Sequence, residues 1–375
     1  MILYPRWYDP YTDSLCNLDR VISTLQAQTR AWHADSAGWI ASETRLWKRK
    51  TFQNFFGQFK AVIFENDPDK ARALARTQSR NWMVWAGKAG ELHARATRVE
   101  DGFLRSRGLG ADLIAPLSLV TDEKGIYYDP TRPSQLEALI SASGMLSPAA
   151  LRRAERLRQA IVKMGLSKYN LGGSTFDVES DGREVILVPG QVEDDASIRL
   201  GTKEITSNAA LLAAVRRDFP EAFVIYKPHP DVEAGLRDGA FAADDADMIA
   251  SNADAVALIM ASDRVCTMTS LLGFEALLRK VPVTCYGAPF YAGWGLTDDR
   301  GPVPARRGPD ADLDGLVHAT LIAYPRYYDP VTRQPCPAEV VVERLATGAL
   351  PQAGLRNRLL AKAQGALAGY AYLWR

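Results

Sequence analysis

Apolar positions along this chain fall into short β-branched-rich runs separated by stretches with helical spacing, and that alternation sets the expected fold. Ala61–Glu65 reads as a buried strand. A helix over about 67–80 follows, opened by Asn66-Asp67-Pro68, where an aspartate can accept the first free N–H groups and a proline has no N–H to lose. Asn81–Ala86 gives a second strand, an irregular segment runs to Asp112, and Pro116–Thr121 gives a third. Helical spacing returns over Ser134–Ala142 and Pro148–Met164. In the second half, Glu184–Val188, Phe223–Tyr226, Arg264–Thr267 and Val281–Tyr286 are strand-like runs parted by helical patterns. Strands that alternate with helices pair in parallel. The expected class is therefore α/β, as two Rossmann-like domains facing a cleft, with Gly172-Gly173-Ser174 as the hinge.

One self-similarity adds to this picture. Tyr4-Pro-Arg-Trp-Tyr-Asp-Pro10 recurs as Tyr324-Pro-Arg-Tyr-Tyr-Asp-Pro330, identical at six of seven positions. The same offset of 320 residues pairs Thr12 with Thr332, Cys16 with Cys336, Val21 with Val341 and Leu25 with Leu345. That period is too long for a solenoid and matches a whole two-domain module. The expected organisation is thus 1–45 as the tail of a preceding module and linker, 46–170 as an N-terminal acceptor domain, 171–323 as a nucleotide-binding domain, and 324–375 as a C-terminal helical segment.

Composition narrows the function classes. A chain of 375 residues, 47% hydrophobic and 24% charged, has the make-up of a soluble globular protein of about two domains. With 45 basic against 44 acidic residues there is no global field for nucleic acid. Cys16, Cys266, Cys285 and Cys336 are scattered, which suggests neither a zinc site nor a disulfide framework and fits a cytoplasmic protein. The longest apolar run, Ala255–Ala261, is far short of a membrane span, and no signal-peptide pattern opens the chain. Phe52, Phe55, Phe56 and Phe59 form a helical stripe flanked by Arg45, Lys48, Arg49, Lys50 and Lys60. It reads either as a helix docked on the core or as a basic amphipathic helix for a membrane surface. Leu355–Arg375 offers the same choice.

Four motifs carry candidate chemistry. Lys227-Pro228-His229-Pro230 follows an apolar strand, and its prolines hold a cation and an imidazole on stiff backbone at a strand's carboxyl end, where a phosphate would sit. Glu100-Asp101-Gly102 places two adjacent carboxylates on a turn; mutual repulsion suits one of them to proton transfer, though the same letters also build a structural cap. Pro189-Gly190-Gln191-Val192-Glu193-Asp194-Asp195 combines a glycine for close ligand approach with three carboxylates, or is a solvated acidic loop. In Thr267-Met268-Thr269-Ser270-Leu271, a strand yields to hydroxyls at a helix start, where N–H groups welcome a phosphate and where plain capping uses the same residues. Glu275 lies about one turn further on.

Taken in that order, the set resembles the GT-B glycosyltransferases that use CMP-activated acidic sugars. The stretches EDGFLRSRGLG, PGQVEDDASI, YKPHPDV, TSLLGFEALLRKVPVTCYGAPFYAGWGLTDD and YPRYYDPVTRQPCPAEVVVERL closely resemble the KpsC-type capsular polysaccharide proteins over residues 60–348. These are β-Kdo transferases with two modules in tandem, so the resemblance implies a GT-B-like fold and a second-module chain. It implies CMP-Kdo as donor, a lipid-linked Kdo acceptor and retention of configuration, with no metal because the leaving group is a monophosphate. Lys227 and His229 would hold the phosphate as a basic pair, with Thr269 and Ser270 beneath it, Gly190 and Gln191 alongside, and Glu275 toward ribose or cytosine. The family's Q-x-x-x-D pattern makes Asp195 the candidate nucleophile, with Asp194 second. Glu100 is the candidate base, Asp101 fixes its turn, and His229 completes the catalytic set. Expected partners extend to the inner-membrane surface and a capsule assembly and export complex. The competing functions are a non-catalytic scaffold of that complex and a UDP-sugar epimerase.

Overall fold

The computed structural model of the chain describes residues 6–109, 114–174, 178–233, 243–308 and 310–351. In chain order, a hairpin β1 (Trp7–Asp9) and β2 (Ser14–Cys16) leads into α1 (Leu18–Asp35), then β3 (Trp39–Ser42), α2 (Leu46–Phe56), β4 (Ile63–Phe64), α3 (Pro68–Thr77), β5 (Asn81–Trp85), β6 (Thr97–Asp101) and β7 (Ser118–Asp122). Two helices follow, α4 (Gln135–Ser141) and α5 (Pro148–Lys163). Next come β8 (Val185–Pro189), α6 (Ala196–Gly201), α7 (Asn208–Asp218), β9 (Phe223–Lys227), α8 (Pro230–Glu233), β10 (Met248–Ile249), α9 (Ala255–Met260), β11 (Arg264–Thr267), α10 (Leu271–Leu278), β12 (Val283–Cys285), β13 (Asp298–Asp299) and α11 (Leu313–Val317). The described chain ends with β14 (Pro325–Asp329), β15 (Gln334–Cys336) and α12 (Ala338–Thr347).

These elements divide into two compact units. The first takes the chain up to 107, residues 115–126 and the stretch from Thr320; the second takes 108–114 and 127–319. In the first unit the sheet order is β15-β14-β7-β6-β5-β3-β4, with β3 to β6 parallel and β7, β14 and β15 antiparallel to their neighbours. Strand periodicity splits its apolar residues between two faces. Trp39, Ala41, Met83 and Val99 pack with Phe52, Phe55 and Phe56 of α2 on one side, while Ile40, Trp82 and Val84 pack with Ala71 and Ala75 of α3 on the other. The phenylalanine stripe is thus a core face: three of its rings are buried, and only Phe59, beyond the end of α2, is exposed. That removes the membrane-helix reading for this segment.

The second unit is built on a six-stranded sheet, β10-β9-β8-β11-β12-β13, parallel throughout. Ile186, Val188, Val224, Tyr226, Cys266 and Met268 form its core with Leu211, Leu212 and Val215 of α7. Two features differ from the boundaries drawn from sequence. The helices α4 and α5 belong to this unit, α5 being tied to α11 by Arg158 and Asp314 at 2.7 Å. Residues 325–336, expected as helical, instead form the β14-β15 hairpin, which extends the first unit's sheet. Pro325 is tolerated because it occupies the first position of its strand.

The sequence repeat is also a structural repeat. Trp7 faces Cys16 as Tyr327 faces Cys336, and Asp9 faces Ser14 as Asp329 faces Gln334. Asp13 and Arg333 hold the same positive φ, 52° and 60°, at the hairpin turns. Far from being a loose linker, the segment 6–45 supplies β3 to the sheet and packs against the later hairpin, with Arg20 ion-paired to Glu343 at 3.0 Å and Arg344 donating to the Tyr11 carbonyl at 2.8 Å.

Candidate active site

In the second unit β8, β9 and β11 lie side by side and point the same way, so their carboxyl ends form one rim, the edge at which open α/β sheets hold ligands. Gly190 follows β8, and its N–H donates to the Lys227 carbonyl at 2.7 Å. A Cβ there would stand 2.5 Å from the Tyr226 hydroxyl and 3.1 Å from the His229 nitrogen, so a side chain would have to displace the buried Tyr226 ring and crowd the His229 backbone. Gln191 ties the third strand in. Its Oε1 accepts from the Thr267 hydroxyl at 3.1 Å and the Thr269 N–H at 3.0 Å, and its Nε2 donates to Thr269 Oγ1 at 2.9 Å. Ser270 caps α10, accepting from the Leu272 N–H at 3.2 Å. Gly190, Gln191, Thr269 and Ser270 therefore gather at one place, with Gln191 and Ser270 engaged in building the rim.

Lys227 ends β9, 5% exposed, with its ammonium 3.7 Å from Glu233. His229 stands between its two prolines, and its Nδ1 accepts from the Asp231 N–H at 3.1 Å, which leaves Nε2 to carry the proton of the neutral ring. Burial pushes the His229 pKa below its ordinary 6.5; Asp231 and Asp195 pull it up, while Lys168 and Lys227 push it further down. Near pH 7 this side chain is a neutral N–H donor beside a buried cation. The expected basic pair is thus one cation and one neutral donor, because desolvation outweighs the nearby carboxylates.

The three carboxylates of the β8 loop part company. Glu193 Oε1 accepts from the Asn208 N–H at 2.7 Å and so serves the start of α7. Asp194 and Asp195 are exposed. Asp195 opens α6, its Oδ2 accepts from the Ser197 hydroxyl at 2.7 Å, and its charge acts on His229. Glu275 is buried in α10, where its Oε1 accepts from the Lys168 N–H at 2.7 Å. Arg279 grips the same segment through the Leu166 carbonyl at 2.7 Å. Sequence reasoning did not single out Lys168, whose position depends on these two contacts across about a hundred residues.

Burial pushes the Glu275 pKa up to about 7, against a reference of 4.5. A carboxyl group raised on folding binds more protons in the native chain than in the unfolded one, so stability falls as pH climbs from 4.5 to about 7. Above that window the ionised form costs up to about 3 kcal/mol. Glu275→Gln keeps an acceptor for Lys168 and removes the titration. It should raise the melting temperature at pH 8 and leave it unchanged at pH 5. A lower melt at pH 8 would show instead that the ionised carboxylate is stabilising.

In the first unit Glu100 and Asp101 close β6. Glu100 Oε1 accepts from the Asp101 N–H at 3.0 Å, and Asp101 pairs with the buried Arg105 at 2.8 Å. Gly102 is required by contact, since a Cβ would lie 2.4 Å from the Ser118 hydroxyl and 3.2 Å from its backbone. Lys48 of α2 packs over the Trp85 ring, and burial lowers its pKa to about 8 although Asp101 and Glu100 pull it up. Lys48, Trp47, Trp85 and Asp101 line a small pocket together with Pro116 and Leu119. From sequence Lys48 was only a flank of the phenylalanine stripe; its place beside the carboxylates is a long-range fact that spacing does not carry.

Residues 83–327 match the family model described as capsule polysaccharide biosynthesis protein. The chain belongs to this family. It is 41% identical over 354 residues to the capsule polysaccharide modification protein LipA of Neisseria meningitidis serogroup A, covering 91% of this chain and 50% of that one. The Rhizobium meliloti lipopolysaccharide-processing protein LpsZ is 42% identical over 299 residues, 75% of this chain and 68% of its own. Among solved structures, the KpsC β-Kdo 2,7 transferase of Thermosulfurimonas dismutans superposes with a TM-score of 0.68 at 34% identity, over 83% of this chain and 99% of that one. The KpsC β-Kdo 2,4 transferase of the same organism gives 0.69 at 31%, over 82% and 97%. The fold is accordingly GT-B-like and the chain is of the KpsC type. It spans half the length of the LipA relatives.

Proposed function

We propose that this chain is a glycosyltransferase of capsular polysaccharide biosynthesis that moves Kdo from CMP-Kdo, with retention, onto a Kdo-primed glycolipid. The observation that carries the reading is that two Kdo transferases of different linkage are each matched over nearly their whole length. The rim of the second unit supports it: a buried lysine and a neutral imidazole donor stand at the end of β9, and a capped helix start follows β11 on the same rim, groups of the kind that hold a single phosphate. Lys227 neutralises the departing CMP phosphate and His229 Nε2–H donates to it; phosphate binding then pulls the His229 pKa upward by linkage. A monophosphate leaving group asks for no metal beyond this.

Retention follows from two displacements. A carboxylate oxygen of Asp195 bonds to the anomeric carbon as the bond from that carbon to the phosphate oxygen breaks. The acceptor hydroxyl then loses its proton to Glu100, attacks the same carbon and displaces Asp195. Asp195 is taken as the nucleophile because it stands at the family's Q-x-x-x-D position, where its carboxylate accepts from Ser197 and its charge acts on His229.

Incubation of the purified chain with CMP-Kdo and a synthetic Kdo-bearing acceptor should give a β-linked product, read by NMR. Intact folded protein that yields none would leave the scaffold reading. A melting shift with CMP but not with UDP separates the proposal from a UDP-sugar epimerase. Glu100→Gln should lose transfer to acceptor while an enzyme-sugar adduct still forms, and full activity in that variant would remove Glu100 as the base. Contact with the inner-membrane surface and with a capsule assembly complex belongs to this proposal through the lipid-linked acceptor. Among the described residues no helix is long and apolar enough to cross a membrane.

A further inference from the structure

The two copies of the repeat differ sharply in what they expose. Tyr8 is 60% exposed, Ile22 41% and Leu25 55%, and Leu18 stands out with them. Their counterparts at the 320-residue offset, Tyr328, Val342, Leu345 and Ala338, are all buried. On α1 these residues fall at i, i+4 and i+7, with Trp32 further along the same stripe, 51% exposed. The opposite face of α1 carries Ser23, Thr24, Ala31 and Asp35, which are buried in this unit. Single exposed apolar residues are ordinary, but a continuous stripe beside a strand edge that no described residue pairs with marks an interface.

The second copy shows what covers such a face. β14 pairs antiparallel with β7, Tyr327 opposite Ser118 and Arg326 opposite Leu119, and the Tyr328 N–H donates to the Leu117 carbonyl at 3.1 Å. Arg326 also ion-pairs with the buried Asp35. In the first copy, among the described residues, β1 pairs with β2 alone, and Arg6, the counterpart of Arg326, is exposed. We infer that the exposed face of β1, β2 and α1 is a docking face for a neighbouring module of this same fold. The strand equivalent to β7 in that module pairs with β1, its core receives Tyr8, Leu18, Ile22 and Leu25, and its equivalent of Asp35 receives Arg6. The hairpin-helix then serves two modules at once, extending the neighbour's sheet through β1 and packing through the other face of α1 on this chain's β14-β15-α12 segment. The chain spans half the length of the LipA relatives, so those proteins have room for a second segment of this size.

The test compares the single chain with two copies joined at the repeat, so that Ala323 of the first is followed directly by Tyr4 of the second. Hydrogen exchange at the Tyr8 amide should be fast in the single chain and slow in the joined protein. The double substitution Ile22→Glu/Leu25→Glu should leave the melt of the single chain unchanged and abolish the new protection in the joined protein. Tyr8 exchanging equally fast in both proteins overturns the inference, as does a joined protein that fails to melt cooperatively, since the shared hairpin-helix would then be unable to serve both modules. A lowered melt of the single-chain variant would show that the face is already covered. Dimerisation of the single chain that the double substitution abolishes would place a second separate copy there instead.

Discussion

Asp195→Ala should abolish Kdo transfer, with kcat lower by on the order of 10⁴-fold, while CMP binding is retained. The split follows from where the groups sit. In the proposed site Lys227 and His229 would take the nucleotide phosphate at the end of β9, whereas Asp195 opens α6 on the loop after β8 and its carboxylate accepts from Ser197. Under this proposal, removing it would delete the nucleophile and leave the phosphate site standing. A second readout separates loss of chemistry from loss of structure. The Asp195 charge raises the His229 pKa, so in Asp195→Ala the imidazole should titrate at still lower pH, observable by NMR. Mass spectrometry should find a sugar adduct on the wild-type protein in the absence of acceptor and none on the variant. Near-normal turnover by Asp195→Ala would end the assignment, and a complete loss in Asp194→Ala instead would move it one residue back.

The parts of the fold that could be read from sequence were those in which local pattern and tertiary burial agree. β11 falls on Arg264–Thr267 as read, and α4 begins where Ser134 and Glu137 form a reciprocal cap. β6 escaped because Arg98, Glu100 and Asp101 make Thr97–Asp101 look like loop; its place is fixed by pairing with β5 and β7, not by its own apolarity. β14 escaped for a similar reason, its flanking prolines reading as turn punctuation. At the candidate site, the residues on strand ends were legible because glycine, proline and hydroxyl residues mark such ends chemically. The groups that tune them were not. Lys168 acts on His229 only because Glu275, 107 residues away in sequence, accepts its N–H. Lys48 stands by Asp101 only because α2 docks its phenylalanines on the sheet. Nothing in spacing encodes contacts of that range.

The largest stability effect is expected at Asp35, the last residue of α1. It is 1% exposed and accepts from Arg326 Nη1 at 2.8 Å and from the Trp39 indole N–H at 2.7 Å, while the guanidinium also lies 4.9 Å from the Phe56 ring centre. Asp35→Ala leaves a buried guanidinium without its counter-charge and an indole donor without its acceptor. A buried pair broken on one side costs about 3–5 kcal/mol, well beyond what the pair adds over an apolar substitute. Denaturant unfolding of Asp35→Ala should show a loss of that size, and Asp35→Ala/Arg326→Met should recover most of it because the stranded charge is gone. The outcome also decides what the N-terminal segment is. If residues 6–45 were a linker hung on a finished domain, Asp35→Ala would unfold within about 1 kcal/mol of the wild type, as surface substitutions do. A loss of several times that amount means the segment is part of the first unit's core, held by a helix end that reaches across to β14.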